Sequence, residues 1–318
     1  MCQSNSVSTW RRLVSSLDSA RDVREKRLSR HHPLIGTVRV TLEAATARIN
    51  LPQSMRCYRR RFHLAFAPMP LFPRSFLAGA AILSASLTAP AFAACRSVSH
   101  LGEDYIACSF DPAPSDIRLY NKDQAGLPFK SFKALSLELR HRDEYLVFAM
   151  NGGMYHEDLS PVGLHVEEGV EQAPLNTNSG WGNFHLLPNG VFHVGEGKAG
   201  VTAAEAYRAA GIQPRFATQS GPMLVIDGAL HPRFLRDSDS LKTRNGVGVT
   251  KSGEVIFAVS KRPVRFHDFA TLFRDAIGCP NALFLDGTIS SLYAPEINRH
   301  DRLFPLGPII AVVSRFPR

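Results

Sequence analysis

The residues with most chemistry to offer sit where apolar runs stop. Leu146-Val-Phe-Ala-Met150 runs into Asn151-Gly152-Gly153, and Ala282-Leu-Phe-Leu285 runs into Asp286-Gly287. Phe216-Ala-Thr-Gln219 leads to Ser220-Gly221-Pro222, and Arg244 opens a further strand. Carboxylates and amides at the mouths of buried strands are costly unless paired, and a neighbouring glycine lets a ligand approach the backbone. Asn-Gly and Asp-Gly are also ordinary turn pairs. Three such ends in one small domain, with an arginine opening another strand, point to a shared pocket.

Other chemistries lack their residues. Ser220 has no G-x-S-x-G elbow around it, and H-E-x-x-H, paired-cysteine, Walker A and dinucleotide glycine motifs are missing. The 12 histidines are scattered along the chain. His185 and His193 are expected to face each other across a hairpin at Pro188-Asn189-Gly190, as a surface pair rather than a zinc site. No metal and no cofactor is implied. Carboxylate acid/base chemistry is what remains, with Asp286 first and Glu157, Asp158 and Glu168 behind it.

The elements that must position these groups alternate hairpins with a few helices. Tyr105–Phe110 and Ile117–Tyr120 read as short strands, Phe129–Arg142 is mixed, and Leu146–Met150, Asn281–Leu285 and Pro308–Ser314 read as buried strands. Hairpins are expected over Val162–Glu167 with Val170–Leu175, over Asn183–Leu187 with Val191–Val194, and over Gly246–Thr250 with Glu254–Ser260. Thr202-Ala-Ala-Glu205 reads as a capping box opening a helix Ala203–Ala210, which Gly211 stops. Asp268–Ile277 places Phe269, Leu272, Phe273, Ala276 and Ile277 on one helical face, with Gly278 after it. The expected class is α+β, a single domain of mixed β-sheet with hairpins and a few packed helices.

Composition says where that domain starts. The chain has 318 residues, 37 Lys+Arg and 28 Asp+Glu, for a net charge of +9. Residues 1–68 carry 13 basic and 4 acidic residues, so the whole excess lies there and residues 69–318 sum to zero. A basic nucleic-acid groove in the folded part is thereby disfavoured, and no nucleic-acid partner is expected. From Met69, a short positive start, an apolar stretch Phe76–Leu87 and an Ala91-Phe92-Ala93 end make an export signal. The reading is a basic extension over 1–68, disordered or a mis-assigned start, a signal over 69–93, and a folded domain over 94–318 in the periplasm or outside the cell. A membrane enters only if 75–94 stays as an anchor. In an oxidising compartment Cys95 and Cys108 form a local disulfide, leaving Cys279 a buried thiol.

Taken in order, Ala149-Met-Asn-Gly-Gly-Met-Tyr155, Gln219-Ser-Gly-Pro222, Arg244-Asn-Gly-Val-Gly248 with Gly253-Glu-Val-Ile-Phe257, and Asn281-Ala-Leu-Phe-Leu-Asp-Gly287 resemble the phosphodiester glycosidase family. The resemblance spans Leu146 to Val313. It implies an α+β glycosidase fold, an exported enzyme and a carbohydrate or sugar-phosphate substrate. It places catalytic roles on Asp286, Arg244 and Asn151, and substrate contacts on Gly152, Gly153, Ser220, Gly221, Gly287 and Ser290. Family members often continue Asp-Gly-Gly-Gly-Ser; here Thr288 and Ile289 replace two of those glycines, which bears on the substrate more than on the reaction.

The chemistry fits these residue types. Cleaving a sugar C1–O–P linkage passes through an oxocarbenium-like state with phosphate already a good leaving group. Asp286 would supply the anion near the anomeric carbon, as nucleophile or base. Arg244 would offer a planar fork to phosphate, or else be a structural partner of Asp286 or Asp239. Backbone N–H groups at Gly152–Gly153 and Ser220–Gly221 could hold remaining oxygens. Two alternatives stand beside this: an exopolysaccharide glycosidase without phosphate, using Glu157 or Glu168 as acid, and a non-catalytic glycan-binding module.

Overall fold

The computed structural model describes residues 94–317 other than residue 288. The extension expected over 1–68 and the export signal expected over 69–93 lie outside the described residues, as does all but the last residue of 75–94. No described helix is long and apolar enough to cross a membrane.

Three sheets surround one core. The first contains a hairpin of β1 (Ala94–His100) and β2 (Glu103–Phe110), in which Cys95 lies directly opposite Cys108 and is bonded to it. The second contains β3 (Asp116–Tyr120) and β4 (Glu144–Asn151), separated in sequence by helix α1 (Phe132–Arg140). The third contains β5 (His165–Glu167), β6 (Val170–Ala173), β7 (Gly190–Gly195), β8 (Lys198–Ala203) and, after helix α2 (Ala204–Ala210), β9 (Phe216–Ser220). The chain then returns to the first sheet through β10 (Met223–Ile226), β11 (Ala229–Leu230), β12 (Asn245–Val249) and β13 (Val255–Ser260). Helix α3 (Phe266–Thr271) leads to β14 (Asn281–Asp286). The second sheet is completed by β15 (Leu292–Ala294), β16 (Arg299–His300) and β17 (Ile309–Arg315). The strand orders are β1-β2-β13-β12-β14-β10-β11, β16-β15-β4-β17-β3 and β6-β5-β9-β7-β8. The α+β class expected from the sequence is what forms.

Alternation along the strands explains the layers. Phe148 and Met150 of β4, Ile310 and Val312 of β17, Phe192 of β7, Phe216 of β9, Phe257 of β13 and Leu283 and Leu285 of β14 share one central cluster. The alternate residues face outward and are covered in turn. Ile256, Ala282 and Phe284 pack under α3, Ala149, Ile309 and Ala311 under α1, and Val191 and Ala217 under Tyr207 of α2. Strands buried on both faces read as continuous apolar runs, which is why β4, β14 and β17 were legible without alternation.

Elsewhere the structure departs from the sequence expectations. Asn183–His185 is a short 3₁₀ turn, and Asn189-Gly190 is not a hairpin tip. Asn189 is buried and its amide donates to the Phe184 carbonyl, while a Cβ at Gly190 would stand 2.2 Å from Met223 Sδ. Close packing, not a turn, is what Gly190 serves, and β7 pairs with β8 instead. His185 therefore lies beside the Asn178 carbonyl, while His193 meets Thr202 Oγ1 at 3.0 Å. Helix α2 starts later than expected, with Ala203 at the cap position in place of Thr202, so no side chain caps it. The mixed stretch 129–142 becomes α1 because Ser131 Oγ accepts from Ala134 N, an N-cap. The α3 segment widens into a π-helix at Leu272–Ile277, which rotates Ala276 into solvent. Cys279 is buried as expected, and burial pushes its thiol up to about 12.

Two consequences are measurable. The Cys95–Cys108 bond closes a short loop on an edge hairpin. Replacing both cysteines with serine should cost about 3 kcal/mol at most, read as a lower urea midpoint under non-reducing conditions. Burial holds the His193 imidazole down at about 4. The unfolded chain, with an ordinary value near 6.5, then binds more protons below that pH, so stability falls between about pH 6.5 and 4. His193→Gln should remove up to about 3 kcal/mol of that loss, seen as a flatter pH dependence of the urea midpoint.

Candidate active site

The sheets are tied together at one end by polar side chains. Asn151 closes β4, Ser220 closes β9, Asn245 opens β12 and Asp286 closes β14, so all four stand at the same end. Asn245 Nδ2 donates to Asn151 Oδ1 at 2.7 Å, joining the first sheet to the second. Asn245 Oδ1 accepts from the Asp286 backbone N–H at 2.9 Å, and Asn151 Oδ1 accepts from Ser291 N at 2.9 Å. Because the last two donors are backbone amides, both side-chain amides have only one workable orientation. Asn151 Nδ2 is left buried without a hydrogen-bond partner.

The third sheet joins through hydroxyls. Ser220 Oγ donates to the Leu285 carbonyl at 2.8 Å, and Thr218 Oγ1 accepts from Gly153 N at 3.1 Å. Ser220 is fully buried, so its hydroxyl positions the end of β14. Gly152 N donates to the Pro308 carbonyl at 2.7 Å. Both N–H groups of the Gly152–Gly153 pair are thus already spent and do not form the anion cradle expected from sequence. What the pair needs is room: a Cβ on Gly153 would lie 2.2 Å from the Gln219 carbonyl oxygen. Gly221 is similar, with the Phe184 carbonyl oxygen 2.7 Å from where its Cβ would be.

Asp286 is half-buried at the mouth of β14. Its charge reaches Tyr155, whose phenol is pushed upward by burial first and by Asp286 second. The phenol donates to the Pro305 carbonyl at 2.7 Å. Gly287 has only ordinary contacts around it, and Ser290 Oγ is half-buried within reach of the Asp286, Gly287 and Thr243 carbonyls, locking the loop.

Arg244 is not the open fork the sequence suggested. It is 1% exposed. Its Nε donates to the Val264 carbonyl at 2.9 Å and its Nη2 to the Ser240 carbonyl at 3.0 Å. The guanidinium carbon lies 3.5 Å from the centre of the Phe266 ring. Carbonyls and an aromatic face hold it where a carboxylate such as Asp239 was considered. Burial pulls its pKa down to about 10.

Two of the three candidate second carboxylates are engaged on the surface. Glu168 sits at the β5–β6 turn and pairs with Arg215 at 2.6 Å, and Asp158 accepts from Ser160. Glu157 is exposed. No group of three metal-binding side chains occurs among the described residues.

The phosphodiester glycosidase family matches residues 144–312, from the start of β4 into β17. The chain belongs to that family. It is 36% identical over 187 residues to the uncharacterized protein YigE of Escherichia coli K12, covering 59% of this chain and 73% of that one. Among solved structures it is similar to the catalytic domain of zebrafish N-acetylglucosamine-1-phosphodiester alpha-N-acetylglucosaminidase, auto-inhibited by its pro-peptide. That similarity has a TM-score of 0.50 at 13% identity, covers 70% of this chain and 82% of that one, and shows a shared fold.

Within this phosphodiester glycosidase domain, Asn245, Gln219 and Tyr155 carry weight that sequence reasoning left unassigned. Asn245 was detectable as the one polar side chain opening an otherwise apolar β12. Gln219 Oε1 accepts from Leu164 N at 3.0 Å and Asn176 N at 2.8 Å, pinning two loops to the end of β9. Replacing Asn245 with alanine strands the Asp286 N–H and one acceptor site on Asn151. We expect a loss of about 1–3 kcal/mol in urea unfolding, with the fold retained by far-ultraviolet circular dichroism.

Proposed function

We propose that this protein is an exported hydrolase that cleaves a sugar–phosphodiester bond, C1–O–P, at the strand ends around Asp286. The observation that carries the reading is the Asn151 amide, buried beside the Asn245–Asp286 link with Nδ2 unpartnered. A buried donor without an acceptor costs about 1–3 kcal/mol, so the fold keeps an unmet polar group directly beside the strand end that carries Asp286. In this reading Asp286 is the anion that meets the oxocarbenium-like centre, as nucleophile or as base toward water. Asn151, fully buried, positions the Asp286 end of β14 through Asn245. Arg244 acts through its charge from behind β12, since two of its donor groups are already occupied. Tyr155, kept protonated by burial and by Asp286, stands in the same end of the molecule.

A phosphate leaving group needs little general-acid help. The ion pair of Glu168 with Arg215 counts against it as the acid of a plain glycosidase, which leaves Glu157 as the acid such an enzyme would need. Family membership supports hydrolysis of a glycoside, and the Cys95–Cys108 bond supports an oxidising compartment, periplasmic or extracellular.

The test is a panel of glycosyl phosphodiesters and plain glycosides offered to the purified protein. Release of free sugar from a phosphodiester is expected, with Asp286→Asn slower by about 10²–10⁴-fold and still folded by far-ultraviolet circular dichroism. Turnover surviving Asp286→Asn unchanged removes Asp286 from the reaction. Sugar binding without turnover on any member of the panel overturns the hydrolase reading.

A further inference from the structure

The proposed reaction leaves one requirement without a side chain. A phosphodiester carries a full negative charge, and Arg244 is buried with two of its donors on the Val264 and Ser240 carbonyls. The other cations at this end of the molecule differ in what they touch. Arg299 is paired with Asp301, and Arg302 rests on the His300 ring. Arg233 and Arg236 are exposed in the loop before β12. Lys242 closes that loop and is the one held against the strand end. Its N–H donates to the Val264 carbonyl at 3.2 Å and its carbonyl accepts from Val264 N at 2.8 Å, which fixes its backbone. Its Cβ lies 3.8 Å from where a Cβ on Gly287 would stand. The Lys242 side chain therefore starts against the residue that follows Asp286.

The two segments run side by side past the Asn245–Asp286 pair. Ser290 Oγ reaches the Thr243 carbonyl at 3.3 Å, and that carbonyl oxygen lies 3.6 Å from the same Gly287 position. Lys242 is exposed, and its ammonium is not within ion-pair distance of Asp237 or Asp239, the acids of its own loop. Those acids stand against Arg233, Arg236 and Lys242, so the loop is close to balanced. What it offers an anion is a point contact beside Gly287, not a basic field. The Gly287 N–H donates to no acceptor on a described residue, unlike the N–H groups of Gly152 and Gly153. A lysine ammonium on its flexible stem meets phosphate as a point charge, without the matched geometry an arginine fork requires. We propose that Lys242 holds the substrate's phosphoryl oxygen, with the Gly287 N–H beside it, so that the site takes an ionised glycosyl phosphodiester in preference to a neutral glycoside. The proposal rests on the C1–O–P reading above. Over the hydrolysis, the C1–O electron pair stays with the phosphate oxygen, water gives its hydroxyl to C1, and the proton goes to solvent. The phosphate gains negative charge as it leaves, and an ammonium beside it meets the transition state more strongly than the ground state.

The test compares the full chain with its Lys242→Gln, Lys242→Arg and Arg236→Gln variants on a glycosyl phosphodiester, with inorganic phosphate as a competing anion. Lys242→Gln should lose about tenfold or more in kcat/KM, and should need about tenfold more phosphate for half inhibition. Lys242→Arg should keep most of both, because a positive charge at that point is what the contact requires. Arg236→Gln removes a cation from the same loop and should change neither. Phosphodiester cleavage undiminished by Lys242→Gln overturns the inference while the hydrolase reading stands. An equal loss in Arg236→Gln overturns it too, since a diffuse field and not a contact is then at work. If the unaltered chain cleaves no phosphodiester, the C1–O–P reading falls and the role of Lys242 falls with it.

Discussion

The Asn151–Asn245 bond is the constraint on which the rest of the site depends. It spans two sheets that share a core but no strand-to-strand ladder at this end. Each amide is oriented by a backbone donor, Ser291 N on one side and Asp286 N on the other. Neither can rotate to help the other without abandoning a buried N–H. The unpartnered Asn151 Nδ2 is therefore imposed by the network and cannot be relieved by a local flip. A buried polar group that the fold forces to go unmet is where structure and function usually part company, because stability alone would favour filling it.

Arg244 belongs to the same account. Burying a guanidinium against carbonyl oxygens recovers part of its hydration, and the Phe266 face contributes about 1–2 kcal/mol more in a desolvated setting. Phe266 is itself stacked on Phe234, and Phe234 on His231. That column fixes the cation one residue away from Asn245, whose register partner is Asp286. The lowered value of Arg244 records the cost of holding that charge away from water. A fixed cation behind β12 and a half-buried carboxylate at the end of β14 give the strand ends a field that loops alone could not hold.

What was legible in the sequence follows from which interactions are local. β4, β14 and β17 announce themselves because both faces are covered, and the β12–β13 hairpin because Gly253 takes the positive φ its turn requires. The strand ends were legible too: Asn151, Ser220 and Asp286 do come together with the β12 start. Their detailed use was not. Asn189-Gly190 carries the composition of a turn, yet Gly190 is dictated by Met223, some thirty residues later in the chain. Thr202 has the spacing of a helix cap, yet the β7–β8 ladder holds it in the strand, where its hydroxyl meets His193. Arg244 reads as a ligand fork, and only the tertiary positions of Val264, Ser240 and Phe266 turn it inward. In each case a partner distant in sequence outcompetes the local signal.

The division between framework and loops also limits where such a protein can vary. Strands packed on both faces tolerate little change of volume, and the polar ties at their ends tolerate little change of chemistry. Gly153 and Gly221 leave no space for even a Cβ. The loops entering at this end meet the framework at fewer points, among them Ser238 with Arg265 and Leu306 with Lys130, and their exposed residues are free of both restrictions. The loop after Asp286 is the intermediate case. Ser290 ties it back to Thr243 and to its own carbonyls, while Ile289 stands where family members often have glycine. A branched side chain there restricts the loop's backbone beside a carboxylate that the framework holds in place.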